Sequence, residues 1–132
     1  MITLINATNR PDNQTQRVSA VYKSVLESRG VEIKYFSLEQ LPFNYLKLDS
    51  EKTELEKLGL SEIIDTYIRF SDKLIVVSPE YQGSFTGIFK LFLDFIQPEY
   101  IRGKKIALVG VSNGRAGNLR GLGHLTNIFN YL

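Results

Sequence analysis

Residues 72–95 read DKLIVVSPEYQGSFTGIFKLFLDF. From Lys73 to Val77 the side chains are almost all aliphatic or β-branched, the composition of a central strand covered on both faces. At Pro79 the character changes. Proline fixes φ and removes a donor, Gly83 and Gly87 permit sharp turns, and Ser84 or Thr86 can cap the helix that follows. The apolar spacing predicts that helix over 86–95, with Ile88, Leu91, Phe92 and Phe95 as its buried stripe and Pro98 beyond its end. Lys90 and Asp94, one turn apart, read as a solvated ion pair. A buried strand feeding a helix through a polar elbow is one β-α unit of a parallel sheet.

The unit recurs in both directions along the chain. ITLIN (2–6) is a short apolar strand that ends in a polar loop. Over 14–29, Val18, Val21, Tyr22, Val25 and Leu26 fall three and four apart, on one face of a helix that Gly30 terminates. VEIKYFSL (31–38) alternates like a strand near a sheet edge. LPFNYLKLD (41–49) is a Pro-containing loop, followed over 50–70 by a charged, helix-forming stretch that Gly59 divides. KKIALVGVS (104–112) reads as another buried strand, and 119–132 as a final helix weakened by Gly121 and Gly123. The order β-α-β-α-β-α-β-α implies an α/β fold with a doubly wound parallel sheet and right-handed crossovers. No internal repeat or linker interrupts it, so residues 1–132 read as one domain.

Composition bounds the partners. The chain has 132 residues, of which 43% are hydrophobic and 23% charged, enough for one core and not two. Its net charge of +2 comes from 16 basic and 14 acidic residues without a polybasic run, which argues against nucleic acid and against an anionic membrane. There is no cysteine, so disulfides and thiolate metal sites are excluded, in keeping with a reducing compartment. No stretch approaches the roughly 20 apolar residues of a membrane span. MITLINATNR lacks a leading basic region and a small-residue cleavage site, so it reads as a first strand and not as a signal peptide. A cytoplasmic protein is the expectation.

Open α/β sheets hold ligands outside the carboxyl ends of their strands, where strand order reverses. The loops to weigh are therefore 7–15, 78–87 and 111–119. In ATNRPDNQT, the hydroxyls of Thr8 and Thr15, the amides of Asn13 and Gln14 and the guanidinium of Arg10 gather where a helix N-terminus favours an anion. The plainer reading is that Asn13 or Asp12 caps the helix and Arg10 is a surface charge. Neither a G-x-x-x-x-G-K-[ST] loop nor a G-x-G-x-x-G fingerprint occurs. GVSNGRAGN carries Gly110, Gly114 and Gly117 around Ser112 and Asn113; a single capping glycine explains one of the three, and close approach to a flat ligand explains more. Tyr81, at the end of the third strand, could flank such a ligand.

Together these loops resemble those of the NAD(P)H-dependent FMN reductase family, flavodoxin-like proteins that include azo, quinone and chromate reductases. PEYQGSFTGIFKLFLDF is similar to the family's P-E-Y-x-x-S-x-x-G-x-x-K-x-x-x-D-[WF] at every motif position. VGVSNGRAGN resembles its S-x-G-x-x-G loop, ATNRPDNQT its G-[ST]-x-R-x-x-S-x-[ST] phosphate loop, and SLEQLPF its L-x-x-L-P. The departures are Ala7 in place of glycine, Asn13 and Gln14 in place of serine and asparagine, and Gly121 and Gly123 inside a helix. HLTNIFNYL resembles the family's last-but-one helix, after which a fifth strand and another helix normally follow. The implied fold is thus flavodoxin-like with strand order 2-1-3-4, lacking the C-terminal strand and helix.

The resemblance implies FMN as cofactor and NADPH or NADH as electron donor, with a quinone, azo compound, metal oxyanion or free flavin as small-molecule acceptor. It places the phosphate on Thr8, Arg10, Gln14 and Thr15. The ring would lie between Pro79, Glu80, Tyr81, Gln82 and Gly83 on one side and Ser112, Asn113, Gly114 and Gly117 on the other. No side chain is implied as acid, base or nucleophile, since the cofactor carries the chemistry. The family usually pairs subunits, which implies a homodimer or homotetramer. The lone His124 reads as a packed or surface residue, and no metal site is expected. A phospho-accepting receiver domain fails because no acidic cluster follows the first strand. Two alternatives stay open: a flavodoxin-like electron carrier, and a module that kept the fold and lost the cofactor.

Overall fold

The computed structural model describes residues 1–41 and 59–132. Four strands, β1 (Ile2–Asn6), β2 (Ile33–Ser37), β3 (Lys73–Pro79) and β4 (Lys105–Val111), form one parallel sheet in the order β2-β1-β3-β4. This is the flavodoxin-like order expected of it. Helix α1 (Gln14–Glu27) connects β1 to β2. Helix α2 (Leu60–Ile64) runs into one π-helical turn, Asp65–Arg69, before β3. Helix α3 (Gly87–Asp94) and a 3-10 turn (Pro98–Tyr100) lead to β4, and α4 (Leu119–Tyr131) follows it. β1 pairs with β2 on one side and β3 on the other, so the chain winds away from their junction in both directions. Their carboxyl ends therefore diverge into a crevice.

The strands hold because their central side chains leave water entirely. Leu4, Ile5, Val76 and Val77 are all 0–1% exposed, each contributing about 1.5–3 kcal/mol of burial. An aromatic group seals one side of the sheet. Phe36 of β2 stacks on Tyr67 at 4.9 Å between ring centroids and leans on Phe92 of α3 at 5.4 Å. Ile68, Leu74, Ile101 and Leu125 complete the layer.

Two elements, α1 and β4, depart from their sequence reading. In α1 the buried residues are Thr15 and Ser19, whereas Val21 is 63% and Val25 46% exposed. Small polar residues let the helix lie close on the sheet, and the Ser19 hydroxyl is satisfied internally by donating to the Thr15 carbonyl at 2.8 Å. β4, expected to be covered, has Lys105 and Ala107 exposed and the rest half-buried, because among the described residues it pairs only with β3. Gly59 stands at φ +67° immediately before α2. The Pro-containing loop beyond Leu41 and the first part of the expected 50–70 helical stretch lie outside the described residues. Lys90 and Asp94 form the expected i,i+4 ion pair on α3.

Candidate functional site

At the carboxyl ends of β1, β3 and β4 an open cleft of about 230 Å³ separates the loop before α1 from the loops that follow β3 and β4. Arg10, Gln14 and Thr15 line it on the first side. Pro79, Glu80, Tyr81, Ser112 and Asn113 line it on the other, so residues more than 100 positions apart in the sequence meet. Asn13, whose amide the loop chemistry had placed with this group, also faces the cleft, as do Asp12, read only as a possible cap, and Val111, which was not singled out. Thr8, Gln82, Gly83, Gly114 and Gly117 belong to the same loops but stand outside the lining.

The loop before α1 is organised by Asn13. Its side-chain oxygen accepts from the Gln16 N–H at 2.7 Å, which makes it the N-cap of α1. The same oxygen receives the amide of Asn6 at 3.3 Å, and its own Nδ2 donates to the Arg10 carbonyl at 2.6 Å and to Glu39 at 2.9 Å. Asn13 is 7% exposed and spends its polar atoms on shaping the loop. Gln14 and Thr15, at the helix start beyond it, line the cleft, and the first backbone N–H groups of a helix have no intrahelical partner. With the Arg10 guanidinium beside them, this end of the cleft favours an anion. Asp12, at φ +51°, and Glu80 put carboxylates on the rim.

Thr8 lies behind the lining. It is fully buried, and its hydroxyl pairs with the Tyr81 hydroxyl at 2.8 Å while accepting from the Arg10 N–H at 3.3 Å. Arg10 in turn lays its guanidinium over the Tyr81 ring, 5.1 Å from the centroid. The two sides of the cleft are thus joined through Tyr81.

The elbow after β3 is a tight hairpin. Tyr81 and Ser84 exchange backbone hydrogen bonds of 2.8 and 3.1 Å around Gln82 and Gly83. Both central residues have positive φ, +52° and +74°, as a type I′ turn requires. Of the two candidate caps, Thr86 is the one used: its Oγ1 accepts from the Phe89 N–H at 3.2 Å and donates to the Ala7 carbonyl at 2.6 Å. Ser84 is drawn to α4 instead, where its hydroxyl lies 2.8 Å from His124 Nδ1. Among the described residues no group of three or more His, Asp or Glu side chains could hold a metal ion.

The loop after β4 folds back on its own strand. Ser112 Oγ accepts from the Gly114 N–H at 2.9 Å, starting the reversal. A Cβ on Gly110 would stand 2.2 Å from the Gly117 carbonyl oxygen, so only glycine admits that return. Further up β2, burial raises the Tyr35 phenol above its ordinary pKa; Ser37 and Asn6 nearby pull it down and Glu39 adds to the rise. The Tyr35 hydroxyl and Asn6 Oδ1 are both buried without a hydrogen-bond partner.

Among solved structures, FerB, a flavoenzyme NAD(P)H:(acceptor) oxidoreductase from Paracoccus denitrificans, superposes with a TM-score of 0.72 at 20% identity. The match covers 98% of this chain and 70% of that one, and the likeness is one of fold. An FMN-dependent NADPH-azoreductase of Staphylococcus saprophyticus is 29% identical over 104 residues, 77% of this chain and 55% of the relative. Another protein of that name, from Staphylococcus haemolyticus, is 25% identical over 89 residues, 67% of this chain and 47% of the relative. The chain spans about half the length of the curated relatives it matches. A family model described as NADPH-dependent FMN reductase matches residues 1–132, and the chain belongs to that family.

Proposed function

We propose that the protein binds FMN in the cleft and carries reducing equivalents from NADPH or NADH to a small-molecule acceptor. The candidate acceptors are a quinone, an azo compound, a metal oxyanion or free flavin. One observation carries the reading: three loops from distant parts of the chain meet in a cleft lined by Arg10 stacked on Tyr81, the start of α1, and Ser112 and Asn113. The donor set fits the cofactor. Arg10 and the start of α1 suit a phosphate, and Tyr81, Ser112 and Asn113 suit a planar, hydrogen-bonding ring. At about 230 Å³ the cleft is smaller than the roughly 300–1,000 Å³ of enclosed ligand pockets, as expected of a trough that grips one edge of a ring and leaves a face open.

Bound there, FMN supplies the hydride and electron chemistry. The protein's residues position it. Asn13 holds the loop at the start of α1, where Gln14 and Thr15 line the cleft, and Arg10 neutralises phosphate charge. Pro79, Glu80 and Tyr81 form one wall and Ser112 and Asn113 the other. The Gln82 and Gly83 backbones, next to the Pro79–Tyr81 wall but outside the lining, are the proposed hydrogen-bonding partners of the ring's polar edge, while the Gly114 and Gly117 N–H groups are committed to Ser112 Oγ and the Gly114 carbonyl. No side chain needs to act as an acid, a base or a nucleophile. The test is the visible spectrum of the purified protein, titrated with FMN and then with NADPH or NADH without oxygen. Flavin bands that bleach on adding the nicotinamide are expected. A protein that takes up no flavin refutes the cofactor assignment, and bound flavin that neither nicotinamide reduces refutes the oxidoreductase assignment.

A further inference from the structure

Asn118 stands where the loop after β4 becomes α4, and four observations single it out. It is fully buried although polar. Its backbone is left-handed, at φ +64°, a conformation that few residues other than glycine, asparagine and aspartate adopt readily. Its Nδ2 donates to the carbonyl of Ser78, the residue before the elbow, at 3.0 Å. Its Oδ1 is buried with no hydrogen-bond partner. Gly121 supplies the reason the amide fits: a Cβ there would lie 2.1 Å from Asn118 Oδ1 and 2.8 Å from the Phe85 nitrogen. The helix is therefore cut back at Gly121 to admit the Asn118 amide, and Oδ1 is an acceptor at hand for the elbow backbone beside Phe85.

We infer that Asn118 is a positioning residue that latches the 78–86 elbow to the 112–117 loop and so sets the width of the slot for the flavin ring; this rests on the FMN reading above. The latch touches neither the Arg10 end of the cleft nor the capping network of Asn13. Its direct hydrogen bond is on the ring side of the cleft, and it reaches Arg10 only through Tyr81. Removing it weakens riboflavin as well as FMN, whereas removing Arg10 weakens FMN alone.

The experiment measures dissociation constants for FMN and riboflavin by quenching of flavin fluorescence, with the melting temperature recorded for each variant. Asn118→Gly keeps the left-handed backbone and deletes the amide. It is expected to lose about tenfold for both flavins, the scale of one hydrogen bond of ordinary net strength, and to alter the circular dichroism of the flavin bands. Asn118→Asp keeps the shape but cannot donate to Ser78, and should lose a similar factor. Gly121→Ala pushes a methyl group onto Oδ1 and should reproduce the loss. Its effect should shrink in the Asn118→Gly background, where the closer obstruction is gone and only the Phe85 nitrogen remains. If Asn118→Gly is too unstable to assay, the aspartate and Gly121→Ala variants decide. Flavin affinities and circular dichroism equal to wild type in a folded variant overturn the inference, as does loss of FMN with riboflavin unchanged. A wild-type protein that binds neither flavin overturns the FMN reading itself.

Discussion

Replacing Thr86 with valine keeps the shape of a fully buried side chain and deletes one hydroxyl. That hydroxyl has two partners. It accepts from the Phe89 N–H at 3.2 Å, capping α3, and donates to the Ala7 carbonyl at 2.6 Å, across to the loop that follows β1. Loss of an N-cap costs about 1 kcal/mol within a range of roughly 0.5–2. Stranding a buried carbonyl costs a further 1–3 kcal/mol or so, and Ala7 is wholly shielded from water. The expected destabilisation is therefore about 2–4 kcal/mol. An unfolding entropy of roughly 2.1 cal/mol/K per residue turns this, for a chain of 132 residues, into a fall in Tm of about 7–14 °C. Thermal unfolding followed by far-UV circular dichroism measures it. Thr86→Ser is the control, since it keeps both hydrogen bonds and loses one methyl group, about 0.8 kcal/mol or ~3 °C. A valine variant that melts within 2 °C or so of wild type, or no higher-melting serine variant, would refute the claim that this hydroxyl ties the elbow to the first loop.

Arg10→Ala should weaken FMN by about 1.5–3 kcal/mol, the loss of a charge-assisted hydrogen bond, and leave riboflavin binding unchanged; fluorescence titration checks both. Gly110→Ala puts a methyl group 2.2 Å from the Gly117 carbonyl, so the loop after β4 must move. Flavin affinity and melting temperature should both fall. Tyr35→Phe removes a phenol whose ionisation burial opposes, and urea unfolding reads its effect as a pH dependence. Because the folded-state phenol pKa is raised, Tyr35 contributes stability that is present below the ordinary value of 10.0 and is lost as pH rises through the folded value. Urea midpoints measured above pH 10 should accordingly fall less steeply in the phenylalanine variant.

The sheet was legible because its evidence is local. The run from Leu74 to Val77 has no other comfortable home than a covered strand, and alternation with helical segments then dictates parallel pairing. The α1 face was misread for a related reason. Periodicity assumes that the apolar stripe faces the core, yet Thr15 and Ser19 are the buried residues, a small polar face on which α1 packs. Asn6 was invisible as well. It reads as the polar end of a strand, but it is fully buried and donates to both Asn13 and Ser37, binding the first loop to the end of β2. No pattern of spacing announces that partnership, because its members are brought together only by the sheet.

The glycines carry the remaining distinction. A loop rich in glycine tells a reader that something comes very close to its backbone, without telling what comes close. Gly110 admits the carbonyl of Gly117, and Gly121, which reads as a flaw in a helix, admits the amide of Asn118. In both cases the approaching group belongs to the chain itself. The loop after β4 therefore earns its shape from internal contacts first, the Ser112 hydroxyl included, and Ser112 and Asn113 line the cleft on that framework. The elbow follows the same order. Thr86 and the Gln82–Gly83 turn satisfy the backbone, and Tyr81, held by Thr8 and Arg10, is what remains to face the cleft. On this account a substitution that disturbs an internal contact should change flavin binding without touching any residue that lines the cleft, as Gly110→Ala and Asn118→Gly are placed to reveal.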